Sequence, residues 1–560
     1  MKKHFFRRKY NVQKNGKLVA GLLLSTGLLV ACSGGSGAPE SSAGTAESET
    51  SEGVAQEGLP IVEDQLELTL MAPSTGTEWS DMPALQEYEG MTNIALKYNN
   101  PPLSDFETRF NLSFASGELP DFYLAPTGAL TPAMEVDYGT QGLLLPLNDL
   151  IDNYAPNLKQ ILEERPDARQ SITTPDGNIY ALPTISEEYS AAWVTGPIWY
   201  NGEWLDALDA EVPKTLDEFY DLLVRFRDDD PNGNGEQDEI PLSGSDGMTY
   251  LRQYLVPSFG IKKFDMEEKD GEVRYAPASE DAREYYKFMN KLYEEKLLDQ
   301  EVFSQSGDQK KAKGESDRLG VYHDWFSYFT SGKEEEEAVT DPMFHPLTSE
   351  WQAEPLAPIK TGINRSTAAI TTANEHPEAT MRWLDGLYDP EIANLMSVGP
   401  EGHVWELDEN GKRQYTEAAQ GDVEEVRSKV APNYGLEFPG YHQDKEDYDG
   451  PDLTIGDEEN PFLTFVKQET ADKIDPYGEV PLPDLYLSQE EIDKTQAIIG
   501  DLETFIEQEE AKFITGQKDI NDDAVWEQYL QEIESMGLDT LVEAYQAAYN
   551  RWVEAGEQIN

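Results

Sequence analysis

Three short apolar runs near the start of the globular part of this chain constrain its architecture most. Leu66-Glu67-Leu68-Thr69-Leu70 alternates apolar and polar side chains, the period of a strand. Ile94-Ala95-Leu96-Lys97-Tyr98 and Asp121-Phe122-Tyr123-Leu124 are two further strand candidates, with helical stretches between them, including 105–114. This β-α-β-α-β rhythm predicts an α/β fold built on a mostly parallel sheet with helices on both faces. At 560 residues the chain exceeds what one hydrophobic core serves, so more than one domain is expected.

The C-terminus reads as helical. Ser488 followed by Glu491 makes a capping box, and Ile492, Ile499, Leu502, Ile506 and Phe513 then fall on one helical face. Gly516 stops that helix. Asp522 or Asp523 caps the next, whose core face carries Trp526, Tyr529, Leu530 and Ile533.

The N-terminus is of another kind. Lys2, Lys3, Arg7, Arg8, Lys9, Lys14 and Lys17 precede a short apolar run, Leu18 to Ala31. As a helix that run spans roughly 20 Å, short of a bilayer core of about 30 Å. Residues 1–31 therefore read as a secretory signal. The run ends Leu29-Val30-Ala31-Cys32 and resembles a bacterial lipobox, in which Cys32 is lipidated and becomes the mature N-terminus. Cys32 is the only cysteine, which leaves no intrachain disulfide, cysteine nucleophile or cysteine metal cluster. Residues 32–62 are expected to form a disordered tether, because the stretch from Ser33 to Gly58 is Ser, Gly, Ala, Glu and Thr with few large apolar side chains. Attachment to the membrane is then through lipid only.

The formal net charge is −65. Such a field repels nucleic acid and anionic lipid, so no nucleic-acid partner is expected. The sequence shows no nucleophile elbow, zinc-binding histidine pair or phosphate loop, and its six histidines are scattered. Acid pairs of the kind a glycoside hydrolase uses are too common in so acidic a chain to carry information. The expectation is a protein that is not an enzyme.

The sharpest local pattern is Asp230-Pro231-Asn232-Gly233-Asn234-Gly235-Glu236-Gln237-Asp238-Glu239. Oxygen-bearing side chains stand at loop positions one, three and five, glycine stands at six, and acids follow, as an EF-hand loop requires for Ca²⁺. Asp230, Asn232, Asn234, Glu236, Asp238 and Glu239 are the candidate ligands. The usual closing glutamate is missing, since position twelve is Pro241, so Glu239 must close the site. Nothing beside the loop resembles a nucleophile or base, which points to structural calcium.

Ser116-Gly117-Glu118-Leu119-Pro120-Asp121, Gly142 to Ile151, Thr174 to Pro183, and Trp199-Tyr200-Asn201 with Trp204-Leu205 occur in that order. With the 230–239 loop and the tail segments Phe513 to Gly516 and Ala547 to Arg551, they resemble family 1 extracellular solute-binding proteins, in the large lipoprotein branch of Gram-positive bacteria. The resemblance covers about Leu66 to Arg551. It implies a periplasmic-binding-protein-like fold with two lobes, a hinge and a ligand cleft between them. One lobe is expected at 63–190 plus 346–395, and the other at 191–345 plus 396–560, carrying the calcium loop. It also implies an oligosaccharide ligand, delivery to two transmembrane permease subunits powered by a separate ATPase, and a place on the outer face of the cell membrane.

Sugar rings are held by flat aromatic faces and by polar groups at their edges. Trp79 lies in the turn after the first strand, and Asp121 lies at the third. Gly320-Val321-Tyr322-His323-Asp324-Trp325 is similar to the segment that presents a stacking tryptophan in maltose-binding relatives. Gly399 to Trp405 resembles another cleft loop. Trp79, Asp121, Trp193, Trp325 and Trp405 are the candidate ligand contacts. A sensor that reports to a membrane kinase would use the same fold, and a binder of peptides or metal chelates stays open at this point, as does a secreted glycoside hydrolase.

Overall fold

The computed structural model describes residues 53–126, 128–187, 196–245, 247–443, 452–455 and 460–559. Cys32 and Trp193 lie outside them. The expected strands form at Leu66–Met71, Ile94–Asn99 and Phe122–Leu124, paired in parallel. They belong to a six-stranded sheet with Leu182–Ser186, Ile363–Ile370 and Gly440–His442. The helix Leu103–Ser116 connects the second and third strands and buries Phe106 and Phe110. Ile61, Leu70, Phe122, Ile151, Leu182, Trp383 and Phe438 belong to one apolar core around this sheet.

A second sheet orders Ile198–Tyr200, Leu319–His323 and Ile240–Ser243, with Leu319–His323 in the middle. Its core contains Trp204, Phe226, Tyr285, Leu298 and Val321. The C-terminal helices Gln489–Ile514, Asp523–Ser535 and Leu538–Ile559 add Leu502, Phe513, Trp526, Tyr529 and Leu541 to that same core. The Ser488–Glu491 capping box forms, and Gly516 at φ 73° follows the helix end. The two largest sheets, each with its own large core, make the protein a two-lobed α/β molecule.

The structure departs from the expected ranges in three places. The first residues of the 346–395 segment, expected in the first lobe, pack on the second: Leu347 enters its core, Thr348 bridges Thr215, and Ala357 clusters with Trp199 and Leu319. Gly440–His442 pairs with Leu182–Ser186 in the first sheet, and Leu436 and Phe438 enter the first core, although the sequence reading grouped this segment with the other lobe. Order also begins before residue 63. Val54 bridges Val62, and the Ala55 amide donates to Ile61 O. The buried Arg382 donates to Ala55 O and Gly58 O, clamping this hook to the helix Pro377–Asp385. Two strategically spaced carbonyls and one buried guanidinium hold a segment whose composition alone reads as disordered.

Candidate functional site

Chain direction places the cleft. Leu66–Met71, Ile94–Asn99 and Phe122–Leu124 run in parallel and end at one edge of the first sheet. Ile363–Ile370 is antiparallel to both Phe122–Leu124 and Leu182–Ser186, so Leu182–Ser186 ends at that same edge. In the second sheet Leu319–His323 and Ile240–Ser243 are parallel, and Ile198–Tyr200 opposes them, so it starts at the edge where they end. The chain therefore leaves the first sheet after Ser186 at its carboxyl edge and enters the second at the carboxyl edge as well. Both edges flank one connection, and ligands of open α/β sheets bind at such edges.

On the second lobe this edge presents Asp324 and Trp325. The Trp325 indole is 46% exposed, unusual for so large an apolar side chain. Its backbone N–H is fixed by its neighbour's carboxylate, Asp324 Oδ1, at 2.9 Å. Asp324 is itself held by Thr330 at 2.7 Å and lies 3.7 Å from the buried ammonium of Lys310. Beside them His323 stacks on Tyr250 at 4.5 Å with planes 6° apart. Sequence reasoning missed this pair, because Tyr250 sits on a different element, the helix Thr249–Leu255.

On the first lobe a polar cavity of roughly 440 Å³ starts at this edge, beside Met71, Asn99 and Asn100, and runs along the helix Leu103–Ser116 past Asp105 and Arg109 to Glu118. Asn100 Nδ2 donates to Ala72 O at 3.0 Å, while its Oδ1 is buried without a partner. A lining of amide, hydroxyl, carboxylate and guanidinium groups suits a hydroxylated ligand.

Two sequence candidates have other work in this structure. Trp79 is 0% exposed. It packs against Tyr98 and Phe438 at ring distances of 6.3 and 5.9 Å, inside the first core. The short 3-10 turn Trp79–Asp81 folds the ring under the sheet instead of presenting it, and Phe438, arriving from far along the chain, closes over it. Asp121 lies at the start of the Phe122–Leu124 strand, the edge opposite to the cleft. Its Oδ2 accepts from Thr69 N at 2.6 Å and Thr69 Oγ1 at 2.8 Å, so it ties two strands together. Trp405 begins a small hairpin, Trp405–Leu407 with Arg413–Tyr415. Its Nε1 donates to Gly399 O at 3.0 Å, and the Arg413 guanidinium lies 4.0 Å from its ring.

The 230–239 loop follows the helix Leu216–Asp228 and precedes the strand Ile240–Ser243. Asp230 adopts φ 48°, turning the chain sharply. Its Oδ2 accepts from Gly235 N at 3.0 Å, Asn232 Oδ1 accepts from Asn234 N at 3.1 Å, and Asn234 Oδ1 accepts from Glu236 N at 2.6 Å. Asn234 Nδ2 reaches Asp238 Oδ1 at 2.9 Å, and Arg318 pairs with Asp238 Oδ2 at 3.0 Å. Asp230 Oδ1 and both carboxylate oxygens of Glu239 are buried without a partner. Burial, and then the neighbouring Asp230 and Asp238 charges, push the Glu239 carboxyl above its ordinary range. Among the described residues no group of three or more His, Cys, Asp or Glu is preassembled as a metal centre. The donor set here is mixed, carboxylates with asparagine amides, and orphaned carboxylate oxygens facing like charges fit a hard cation.

Two lobes whose carboxyl edges flank one connection, with an exposed tryptophan at that edge, define a solute-binding protein. The chain belongs to the bacterial extracellular solute-binding protein family, whose model matches residues 73–394. It is 29% identical over 501 residues, 87% of this chain and 90% of its relative, to the fructooligosaccharide ABC transporter substrate-binding protein FusA of Streptococcus pneumoniae. The solved structure of S. pneumoniae FusA in complex with kestose superposes with a TM-score of 0.68 at 27% identity, covering 87% of this chain and 99% of that one. A human-milk-oligosaccharide-binding solute-binding protein of Bifidobacterium longum infantis shares the fold, with a TM-score of 0.70 at 21% identity and the same coverage. Among the described residues no helix is long and apolar enough to cross a membrane.

Proposed function

We propose that this protein captures an oligosaccharide outside the cell and delivers it to an ABC importer, and that it catalyses no reaction. The observation that carries the reading is the exposed Trp325 at the carboxyl edge of the second sheet, opposite in chain direction to a polar cavity at the carboxyl edge of the first. A flat aromatic face with a nearby carboxylate and amides is what a sugar ring needs. The similarity to FusA along nearly the whole of both chains supports the same ligand class, which makes fructooligosaccharides the first compounds to test. Import requires two membrane permease subunits and a separate ATPase.

Lipidation of Cys32 would anchor the protein to the outer face of the membrane of a Gram-positive bacterium. The 230–239 loop would hold a structural Ca²⁺ through Asp230, Asn232, Asn234, Asp238 and Glu239, with Glu236 contributing at the position where a backbone carbonyl serves. A FusA structure described as an EF-hand mutant supports a calcium loop in this part of the family. Trp193 remains a candidate contact.

A thermal-shift screen of the mature protein against neutral oligosaccharides, kestose and nystose included, tests the reading. A ligand at a hundred times its dissociation constant stabilises the fold by about 2.7 kcal/mol. A screen in which peptides or metal chelates shift the transition and no carbohydrate does would overturn it.

A further inference from the structure

The exposed aromatic surface at the second lobe's carboxyl edge does not end at Trp325. Phe329, four residues on, is 41% exposed. Its neighbours Phe326 and Tyr328 turn inward onto Phe462 at ring distances of 5.5 and 5.0 Å. The turn is closed by the Phe329 amide donating to Phe326 O at 3.1 Å, and Phe329 meets Tyr328 edge-to-face at 4.8 Å. The ring is thus held in one orientation without being covered. Lys311, on the helix Gly307–Gly314, places its ammonium 5.5 Å from the Phe329 ring centre and 3.9 Å from Asp324 Oδ2. Trp325, whose backbone N–H donates to Asp324 Oδ1, lies against Gly196. Asp324 thus meets the backbone of Trp325 with one oxygen and the ammonium beside Phe329 with the other, linking the two exposed aromatic residues through one carboxylate.

We infer that Phe329 and Lys311 form a second carbohydrate subsite, outward of Trp325, through which the protein selects oligosaccharides by length. The inference rests on the oligosaccharide reading above. Phe329 supplies a stacking face for a sugar unit beyond the one on Trp325, and Lys311 donates to its hydroxyls. Short ligands fill the Trp325 position only, and longer ones reach both.

Calorimetry of the mature protein with kestose, nystose and a longer fructooligosaccharide tests this, on the parent, Phe329→Ala, Phe329→Leu and Lys311→Gln. The parent's affinity should rise with chain length. Phe329→Ala should lose about threefold to tenfold in affinity for the longest ligand and little for the shortest, the range of one aromatic contact. Phe329→Leu, which keeps apolar packing but no flat face, should lose the same preference with an unchanged melting temperature. If the parent binds these sugars but Phe329→Ala and Phe329→Leu keep its length dependence, Phe329 is a packing residue and the inference fails alone. If the parent binds none of them while another ligand class binds, the oligosaccharide reading fails and takes the inference with it.

Discussion

Trp325 packs against Gly196 so closely that a Cβ at 196 would stand 3.2 Å from the ring and 3.3 Å from the Trp325 Cα. Gly196 also has φ 89°, which side chains rarely adopt. The tryptophan is thereby braced by Gly196, while nearly half of its surface stays exposed. Gly196→Ala should cost about 1–3 kcal/mol of stability, the range of one strained residue, and should weaken sugar binding by displacing the indole. Calorimetry with a denaturation control checks both.

Trp79 makes a contrasting prediction. The sequence offers it as a ligand contact, and its burial in the first core changes the expected outcome. Trp79→Ala should destabilise the protein by about 3–5 kcal/mol, read by chemical denaturation. Any loss of sugar binding should track the loss of folded protein.

The difference between these two tryptophans shows what the sequence makes legible. Strand and helix periodicity, the Ser488–Glu491 capping box and Gly516 are local signals, and the elements formed where local chemistry put them. Trp79 is buried by Phe438, more than three hundred residues away, and Tyr250 meets His323 across elements. Such pairings depend on topology, which local periodicity does not encode. Asp121 failed as a ligand contact for a related reason: its strand's direction, known only from pairing, puts it at the edge away from the cleft.

Asp385 gives the protein a pH signature. It is buried beneath the N-terminal hook, where it pairs with Arg382 at 3.2 Å and accepts from Leu158 N at 2.9 Å. Burial outweighs these partners and pushes its carboxyl up to about 6. Between pH 4 and 6, roughly, the folded state then holds a proton that the unfolded state has lost, so stability falls as pH rises through that window and levels off above it. Two units correspond to about 3 kcal/mol as an upper range. In Asp385→Asn this component should vanish from the pH dependence of the unfolding free energy. An identical pH profile in parent and variant would contradict the assignment.

Calcium should stabilise the second lobe without turning anything over. Asp230 Oδ1 and the Glu239 oxygens lack partners, and a bound cation would both satisfy them and lower the Glu239 carboxyl. Chelation, or Asp230→Ala combined with Asp238→Ala, should lower the melting temperature by a few degrees. The double variant should no longer respond to chelator. A melting temperature indifferent to both calcium and chelator would defeat the calcium reading.

Cys32 carries the proposed anchor. Cys32→Ala should release the protein to the medium or leave the signal segment uncleaved, as fractionation and N-terminal sequencing would show. A variant that stays membrane-bound with a normally cleaved N-terminus would contradict lipidation.

The account turns on Trp325 as the face on which a sugar stacks, and calorimetry of Trp325→Ala against its parent, with the tightest oligosaccharide from the thermal screen, tests it most directly. Trp325 belongs to neither lobe's main apolar core, so the variant should keep its circular dichroism and melting temperature. Loss of one aromatic face should weaken binding about tenfold to a hundredfold, the equivalent of roughly 1–3 kcal/mol. A folded Trp325→Ala that binds as tightly as the parent would show that the ligand lies elsewhere.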